Sequence, residues 1–387
     1  MGLKMSYYKL CDVCDFQGGS QPPKDEWSLE LKPGYIRMLQ IRDFTQTERT
    51  IPEYIKITNT TKICEENDIL IARYGASLGK ILTGLKGAYN VAIMKTIPNI
   101  NVLDKKYLYY YLKSPVFQRF LLNVGSRAAQ AGFNKNDLQD LLIPKISKDK
   151  QGEIVRILEM VEKVIIARKN EISLLDNLIK ARFVEMFGIP DENECYGEKT
   201  ILAEHLDVVG GYAFKSDKFT DYGIPVLRIG NINTGKFLPI NLVFWNNDET
   251  LQKYKVLPGD LVMSLTGTVG KDDYGNVCIL DESFQEYYLN QRNAKLVLKQ
   301  TMNKYYLSEL LKFGQVKKKL TGISRGVRQA NISNKDILEL QVYVPPIGLQ
   351  NQFADFVQQI DKSKLSVQKS LDKLEILKKA LMQKYFG

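Results

Sequence analysis

The sequence predicts an α+β protein in which two mixed α/β globular parts are separated by two long helices that form an antiparallel coiled coil, with a pseudo-twofold internal repeat. Three observations predict this fold class. The chain has 387 residues, which is enough for two or three domains. Similar segments recur in the same order in its two halves. Each half ends in a long helical stretch with heptad periodicity.

The internal repeat is clearest at the end of each half. Residues 181–188 read ARFVEMFG, and residues 380–387 read ALMQKYFG, 199 residues later. Further upstream the spacing shortens, so that residues 68–71 (DILI) match residues 260–263 (DLVM). Because the matched segments keep their order along nearly the whole chain, we infer two copies of one unit of about 190 residues rather than a solenoid.

The first part of each copy has a mixed pattern. Short apolar, β-branched runs between Gly and Asn/Asp clusters predict strands. The predicted strands are residues 36–41, 68–72 and 91–97 in the first copy and 224–229, 260–264 and 294–298 in the second. A helical stretch follows in each copy, at 105–123 and at 304–320. Ser114-Pro115 predicts a break in the first stretch, as an N-cap followed by proline, and Phe313-Gly314 lies at the equivalent place in the second.

The second part of each copy is predicted to be one long helix of about 36 residues, roughly 54 Å in length. Apolar residues follow alternating steps of four and three, which is a heptad seam. The predicted seam residues are Ile154, Leu158, Val161, Ile165, Ile172, Leu175 and Ile179 in the first helix and Phe353, Val357, Ile360, Val367, Leu371 and Leu374 in the second. Arg168, Lys364 and Lys378 interrupt it.

Neither seam can remain exposed to water, so each helix needs a partner. The simplest partner is the long helix of the other copy, in an antiparallel intramolecular coiled coil, because each helix starts beside its own globular part. Self-association between chains is the alternative.

The charge of the chain indicates a polyanionic partner. Its net charge is +10. Each mixed part also contains an acid-free run of cations, between Asp104 and Asp137 in the first copy and from Leu310 to Lys335 in the second. One such run is usually a solvated face, whereas two at equivalent positions favour contact with nucleic acid. Each run leads into a Ser-Arg loop with a glutamine, and these side chains have the geometry to read guanine and adenine edges.

A glycine-rich turn follows a strand in both copies. Residues 75–80 read GASLGK, but a phosphate-binding Walker loop needs four residues between its glycines and Ser or Thr after the lysine. Here three residues separate the glycines and Ile81 follows. We therefore interpret the segment as a turn that permits close backbone approach and leaves a lysine at its end.

Several classes of active site are excluded by composition. His205 is the single histidine, so sites that need two or three histidines cannot be built. The five cysteines form an odd, sparse set that argues against a disulfide framework. Cys11 and Cys14 form a C-x-x-C, which we interpret as buried residues on an early strand or turn, with a redox or metal role as the alternative. We find no Asn-Pro-Pro-aromatic motif, cofactor fingerprint, helicase motif or nuclease-like carboxylate cluster.

With these features the chain resembles the specificity subunit of type I restriction-modification systems along nearly its whole length. The resemblance rests on residues 70–75 through Lys80, on their counterparts 262–267 through Lys271, on residues 344–350 before the second long helix, and on the paired Phe-Gly endings. Residues 145–147 (KIS) depart from the matching Val-Pro-Pro of the second copy.

The resemblance implies a domain order of target-recognition domain 1 (1–150), conserved helix 1 (151–188), target-recognition domain 2 (189–349) and conserved helix 2 (350–387). It implies a non-catalytic subunit that recognises a bipartite, asymmetric site in double-stranded DNA and holds two methyltransferase subunits, which a restriction subunit joins. S-adenosylmethionine, ATP and Mg²⁺ would be bound by those partners and no cofactor or metal by this chain. The rival hypothesis is an RNA-binding or coiled-coil scaffold protein without sequence-specific DNA recognition.

The candidate DNA-binding residues are Arg37, Arg42, Arg73, Lys80, Arg127, Gln130, Arg228, Asn231, Lys271, Arg292, Lys317, Lys318, Arg325, Arg328 and Gln329. The N-terminus has no signal-peptide pattern and no apolar run reaches the roughly 18 residues of a membrane span, so we expect a cytoplasmic protein.

Overall fold

A computed structural model of the protein describes residues 6–125, 132–190, 195–268, 273–322 and 329–387. The chain divides into two compact units. Unit 1 comprises Met1–Lys169 and Lys369–Gly387, and unit 2 comprises Asn170–Gln368. Each unit therefore holds one mixed part together with a segment of both long helices. The boundary between the units falls within each long helix, after Lys169 in the first and after Gln368 in the second.

The mixed part of unit 1 is built on two four-stranded sheets and one short two-stranded sheet. Its strands are β1 (Tyr7–Lys9), β2 (Cys14–Gly18), β3 (Tyr35–Leu39), β4 (Tyr54–Lys56), β5 (Ile63–Cys64), β6 (Leu70–Ala72), β7 (Ile81–Leu82), β8 (Gly87–Tyr89), β9 (Ile93–Pro98) and β10 (Leu142–Pro144). The sheet orders are β2-β9-β6-β7, β4-β3-β8-β5 and β1-β10. All pairs are antiparallel except β3 with β8, where Met38 lies opposite Ala88.

Unit 2 repeats the three sheets of unit 1 with the same strand orders. Its strands are β11 (Glu198–Ile201), β12 (Leu206–Gly210), β13 (Ile224–Leu227), β14 (Phe244–Trp245), β15 (Lys255–Val256), β16 (Leu261–Ser264), β17 (Thr266–Thr268), β18 (Val277–Ile279), β19 (Tyr287–Leu289), β20 (Asn293–Leu298), β21 (Gln329–Asn331) and β22 (Gln341–Val344). The orders β12-β20-β16-β18, β14-β13-β19-β15 and β11-β22 match those of unit 1, and β13 with β19 is again the parallel pair. A further pair, β17-β21, is present in unit 2. The predicted internal repeat is thus confirmed.

The helices are α1 (Leu10–Val13), α2 (Ile41–Thr45), α3 (Lys105–Lys113), α4 (Pro115–Gly125), α5 (Lys148–Phe187), α6 (Ile229–Ile232), α7 (Lys304–Lys312), α8 (Gly314–Thr321), α9 (Asn334–Leu338) and α10 (Ile347–Phe386). Within the described ranges, four helices of each copy have helical counterparts in the other, α2 with α6, α3 with α7, α4 with α8 and α5 with α10. The predicted break at Ser114-Pro115 is confirmed, because buried Ser114 ends α3 and its Oγ accepts a hydrogen bond from the Phe117 amide. The α+β class is confirmed as well.

The long helices pair antiparallel within each unit. In unit 1, Glu162 and Lys169 of α5 form ion pairs with Lys378 and Glu375 of α10, so the sequence numbers run in opposite directions. In unit 2, Lys364 of α10 pairs with Asp176 of α5 at 2.6 Å. Every predicted seam residue is buried or half-buried, and the polar interruptions Lys364 and Lys378 are paired with carboxylates of the facing helix.

The ends of the long helices anchor them in the globular cores. In unit 2, Phe187 at the end of α5 packs edge-on against Tyr306 and Phe353. In unit 1, Phe386 at the end of α10 packs against Tyr107 and Tyr111. The paired Phe-Gly endings found in the sequence are therefore matched core anchors, since burying an aromatic ring contributes roughly 2–3 kcal/mol.

The structure corrects the predicted secondary structure in three respects. The predicted strands 36–41 and 224–229 end at Leu39 and Leu227, because the following residues begin α2 and α6. Both long helices begin three residues earlier than predicted, at Lys148 and Ile347. The sequence also missed the short strands that complete the second four-stranded sheet in each unit, since strands of two or three residues have no readable periodicity. Among the described residues, no helix has both the length and the apolar character needed to span a bilayer.

Candidate nucleic-acid interface

Each unit presents a pair of basic helices, α3–α4 in unit 1 and α7–α8 in unit 2. The first helix of each pair is capped by a side chain of the preceding residue. Asp104 accepts hydrogen bonds from the Lys106 and Tyr107 amides, and Asn303 accepts one from the Tyr305 amide. These caps fix where each basic helix begins.

A buried glutamine at the start of each long helix holds this cap in place. The Oε1 of Gln151 accepts from the Asp104 amide at 2.7 Å, and its Nε2 donates to the Val102 and Ile146 carbonyls. Gln350 does the same with the Asn303 amide at 2.8 Å and with the Thr301 and Pro345 carbonyls. Both side chains are almost fully buried. The position of each basic helix is therefore set by the long helix of its own copy.

The acid-free run of unit 1 is partly neutralised by acids from other elements. Lys105 binds Asp68, Lys106 binds Glu159 of α5, and Lys135 binds Asp15 of β2. Arg119 is exposed, and its Nε donates only to the Pro115 carbonyl one turn earlier. An exposed cation on a backbone carbonyl keeps its full charge, so Arg119 is the stronger candidate for a phosphate contact.

In unit 2, the predicted contact at Lys317 needs correction. Lys317 is 8% exposed, and its ammonium donates to Asn276 at 2.7 Å. Its counterpart in unit 1 is Gln118, whose Nε2 donates to the Gly79 carbonyl of the glycine turn and to the Leu112 carbonyl of α3. The position serves packing in both copies, because it faces the sheet rather than solvent. Lys318, the counterpart of Arg119, is exposed as predicted.

The glycine-rich turn of unit 1 borders an open groove of about 490 Å³. Gly79 adopts a φ of 79°, and a Cβ there would lie 2.9 Å from Oε1 of Gln118, so the turn requires glycine. Lys80, which is exposed, lines the groove together with Thr45 and Lys113. Lys80 was a candidate DNA-binding residue, whereas Lys113 was predicted only as one of the cations of the acid-free run. The repeat could have indicated Lys113 as a candidate, because the equivalent position in the second copy, 199 residues later, is also a lysine, Lys312.

Three predicted arginines of unit 1 have structural partners. Arg37 binds buried Asp43 at 2.7 Å, and Arg42 binds Glu53 at 2.6 Å. Arg73 donates to the Phe133 and Val91 carbonyls, which fastens β6 to two neighbouring segments. Only Arg42 among the three keeps about half of its side chain exposed. Contact of these arginines with nucleic acid stays a prediction.

The predicted contact at Asn231 in unit 2 also needs correction. Asn231 is 2% exposed, and all its hydrogen-bonding groups are used within the protein, so it cannot reach a base. Arg228, which caps the same short helix, is half-buried and donates to the Asn241 carbonyl. Arg292 is exposed after β19. Arg228 and Arg292 stay predictions.

The loops predicted to read bases fall outside the described residues. This applies to Arg127, Gln130, Arg325 and Arg328. Lys271, which ends the glycine-rich turn of the second copy, also lies outside the described residues. The backbone of Gln329 begins β21 and pairs with Thr268.

The described residues form no cluster of three or more His, Cys, Asp or Glu side chains that could hold a metal ion. Cys14 lies on β2 and is 2% exposed, and Cys11 is half-buried on α1, which agrees with the structural interpretation of the C-x-x-C. Burial raises the pKa of the Cys14 thiol to about 12, so it is not a reactive thiolate at neutral pH. His205 bonds Thr301 through Nδ1.

Comparison with known families identifies both copies. The family model for the type I restriction modification DNA specificity domain matches residues 3–175 and 199–376. The two matches correspond to the two copies of the repeat, each consisting of a mixed part followed by most of a long helix.

Curated relatives are similar over most of the chain. The MjaVIII type I restriction enzyme specificity subunit of Methanocaldococcus jannaschii is 26% identical over 354 residues, covering 85% of this chain and 80% of the relative. The MjaIX specificity subunit of the same organism is 21% identical and covers 97% of this chain and 91% of the relative. The EcoBI specificity subunit of Escherichia coli is 25% identical over 199 residues, covering 47% of this chain and 40% of the relative.

Solved structures share the fold. A chain from a study of complex assembly and conformational transition in a type I R-M system superposes with a TM-score of 0.59 and 16% identity, covering 99% of this chain and 97% of the other. The type I restriction-modification S subunit from M. genitalium gives a TM-score of 0.53 and 17% identity, covering 99% and 96%.

Proposed function

The chain belongs to the family of type I restriction modification DNA specificity domains, and from this premise we propose that it is the DNA-recognition subunit of a type I restriction-modification complex. The observation that carries the proposal is the family match over both copies of the repeat. The alternative of an RNA-binding or scaffold protein is not favoured by relatives that are specificity subunits.

The site it recognises is bipartite and asymmetric. Each unit has its own pair of sheets and its own basic helices, so each can contact one half of the site independently. The copies differ in the segments that follow their short helices α2 and α6, residues 46–53 in unit 1 and residues 233–243 in unit 2. Two different surfaces read two different half-sequences.

The basic helices supply the phosphate contacts that position the duplex. Arg119 and Lys318 occupy equivalent exposed positions on α4 and α8. Contacts to phosphates set register and orientation without specifying sequence, so base recognition belongs to the neighbouring loops.

The chain holds partners rather than performing chemistry. We propose that two methyltransferase subunits bind it, and that a restriction subunit joins them. S-adenosylmethionine, ATP and Mg²⁺ would be bound by those partners. The purified chain alone is expected to transfer no methyl groups and cleave no DNA, and detectable activity free of partners would contradict this.

The decisive experiment is methylation mapping of DNA modified by the chain reconstituted with its methyltransferase subunits. We expect one bipartite recognition sequence. Replacing residues 1–150 by the equivalent part of a relative should change one half of this sequence and leave the other intact. A swap that altered both halves would show that one fused surface reads the site. Mass measurement of the complex tests the two-methyltransferase stoichiometry.

A further inference from the structure

In each unit, a loop connects a short helix, α2 in unit 1 or α6 in unit 2, to the strand that comes next in the sequence. Loop 1 (residues 46–53) follows α2, and loop 2 (residues 233–243) follows α6. We propose that loop 2 contacts the DNA bases of one half-site and that buried Asn231 is the positioning residue that sets its conformation. The inference rests on the proposed function and names the element that performs recognition in unit 2.

The inner side of loop 2 is held at several points. The Nδ2 of Asn231 donates to the Leu238 and Ile240 carbonyls, each at 3.0 Å, while its Oδ1 accepts from the Arg228 amide. The Arg228 guanidinium donates to the Asn241 carbonyl. The Phe237 ring is 6% exposed and packs against Tyr287. Because these bonds and the packed ring fix the backbone, the outer face of the loop is preorganised.

The outer side of the loop carries side chains suited to nucleic acid. Lys236 and Asn241 are exposed, and Ile240 is 55% exposed. Lysine binds phosphate, asparagine matches the adenine edge, and an aliphatic side chain packs on the thymine methyl group. Asn241 has a φ of 49°, the one positive value found for a non-glycine residue in the described part of the chain. The hydrogen bond from the Arg228 guanidinium to the Asn241 carbonyl holds this backbone conformation in place.

Loop 2 also lies beside the basic helices of its own unit. Asn233 accepts a hydrogen bond from Asn276 at 3.3 Å, and Asn276 accepts one from Lys317 of α8 at 2.7 Å. A Cβ placed on Gly235 would lie 4.0 Å from Cε of Lys312 of α7. The loop and the basic helices therefore belong to one surface, where phosphate attraction brings the duplex to the loop.

The same position in unit 1 carries a different group. Asp43 lies 188 residues before Asn231 and is equally buried, but its carboxylate accepts from Arg37 and from the Gln40 amide. A carboxylate accepts hydrogen bonds, whereas an amide also donates, so Asp43 cannot hold loop carbonyls as Asn231 does. Loop 1 is tied at its end by Glu53 instead, and it exposes Ile51 by 72%. The two loops thus present different surfaces from matching scaffolds.

The test uses the full-length chain in selection from a pool of random duplexes, followed by titration on the enriched sequence. Ile240→Ala and Asn241→Gly alter exposed side chains and keep the bracing of the loop. Each should weaken binding to the enriched duplex by roughly tenfold and relax preference at positions within one half-site, while random duplex is bound as before. Ile51→Ala is the matched variant in loop 1 and should act on the other half.

Asn231→Asp tests the positioning role, because it preserves shape and the bond from the Arg228 amide but removes both donors. It should change the preferred bases in the same half-site as Asn241→Gly. Asn293→Asp is the control, since Asn293 is a buried asparagine of unit 2 that donates to the Leu227 carbonyl. The control should lower the melting temperature without changing the enriched sequence.

Loop 2 is excluded as a recognition element if Ile240→Ala and Asn241→Gly bind the enriched duplex as the wild type does. The positioning role is overturned if Asn231→Asp folds and keeps the wild-type preference, or if Asn293→Asp shifts preference in the same way. If the wild-type chain enriches no sequence either alone or reconstituted with its methyltransferase subunits, the proposed function itself is refuted, which is a different result from a failure of the loop variants.

Discussion

Unit 1 and unit 2 share one scaffold but differ in the chemistry they place next to the basic helices. The strand orders of the two main sheets are the same, and Gln151 and Gln350 make equivalent sets of hydrogen bonds. By contrast, Gln118 in unit 1 corresponds to Lys317 in unit 2. The buried glutamines at positions 151 and 350 are the same residue and make the same bonds in both units. Positions 118 and 317 hold different residues, yet both pack their helix against the rest of the unit.

The two units also differ in how tightly the long helices are packed. In unit 1, Leu158, Val161, Ile165 and Leu371 are all buried. In unit 2, three of the seven seam residues, Ile172, Leu175 and Ile360, are only half-buried, whereas Leu374 is the one half-buried seam residue among the six of unit 1. Each seam also holds one lysine paired with a carboxylate, Lys378 with Glu162 and Lys364 with Asp176. The seam of unit 1 is therefore the drier of the two, and the same substitution should have different consequences in each.

The largest effect is expected from a carboxylate in the seam. Ile165→Asp or Leu371→Asp in unit 1 should cost about 3–5 kcal/mol of unfolding free energy, because an unpaired charge is buried. Ile172→Asp in unit 2 should cost less, since that position retains access to water. Denaturant unfolding of the full chain measures all three. Equal costs at 165 and 172 would remove the proposed difference between the seams, and wild-type stability of Ile165→Asp would show that the seam is wrongly assigned.

The buried glutamines test the equivalence of the two scaffolds. Gln151→Ala and Gln350→Ala each remove three hydrogen bonds and leave an amide and two carbonyls unsatisfied, so each should destabilise the chain by about 1–3 kcal/mol. Thermal unfolding of both variants provides the comparison. The expected losses are similar, and a large difference would mean that the caps of α3 and α7 do not depend on the long helices in the same way.

Acid sensitivity should distinguish the units at a pair of matched aspartates. Asp68 binds both Lys95 and Lys105, while Asp260 binds Lys295 alone. Burial raises the pKa of Asp68, but the hydrogen bonds and charges of its two lysines outweigh this and lower it to about 2. Because the pKa is depressed in the folded state, the stabilisation is complete above about pH 4 and is lost as the pH falls towards 2.

Asp68→Asn should therefore cost about 1 kcal/mol at neutral pH and flatten the stability profile between about pH 4 and pH 2. Asp260→Asn is the matched control and should cost less, since one lysine rather than two loses its partner. Unfolding measured across this pH range checks both variants. An unchanged profile in Asp68→Asn would assign the acid sensitivity to other carboxylates.

The smallest effect is expected from the exposed cations of the basic helices. Arg119→Ala and Lys318→Ala should each weaken binding to specific and random duplexes alike, and should reduce the salt dependence by about one ion. Arg328→Ala, in the loop predicted to read bases, is the contrasting variant: it should have a larger effect, about 1–3 kcal/mol on the specific site, and relax preference at one position. Titrations at two salt concentrations decide between these roles. If all three variants behave alike on both duplexes, the predicted division between phosphate and base contacts is wrong.

The sequence predicted the scaffold better than the exposure of the candidate recognition residues. The reason is that the charge of a side chain does not tell whether the folded protein buries it. The cations of each acid-free run suggested one continuous basic face. In the structure, Lys105, Lys106 and Lys135 bind acids that are distant in sequence, and Lys317 is buried against the sheet. Asn231 was among the candidate DNA-binding residues, yet its side-chain amide holds the backbone of a loop. The sequence states which side chain stands at a position. The hydrogen-bond partners of that side chain depend on the residues that the fold packs around it.

The sequence by itself determined the internal repeat, the α+β class, the long heptad helices and the glycine turn, because periodicity and capping residues act over a few neighbouring positions. Only the tertiary structure decided that each compact unit contains segments of both long helices, that two four-stranded sheets form each mixed part, and that position 43 or 231 braces the surface beside the basic helices. The physical reason is that these features depend on pairings between distant residues, whose hydrogen bonds and buried contacts exist only once the chain has folded.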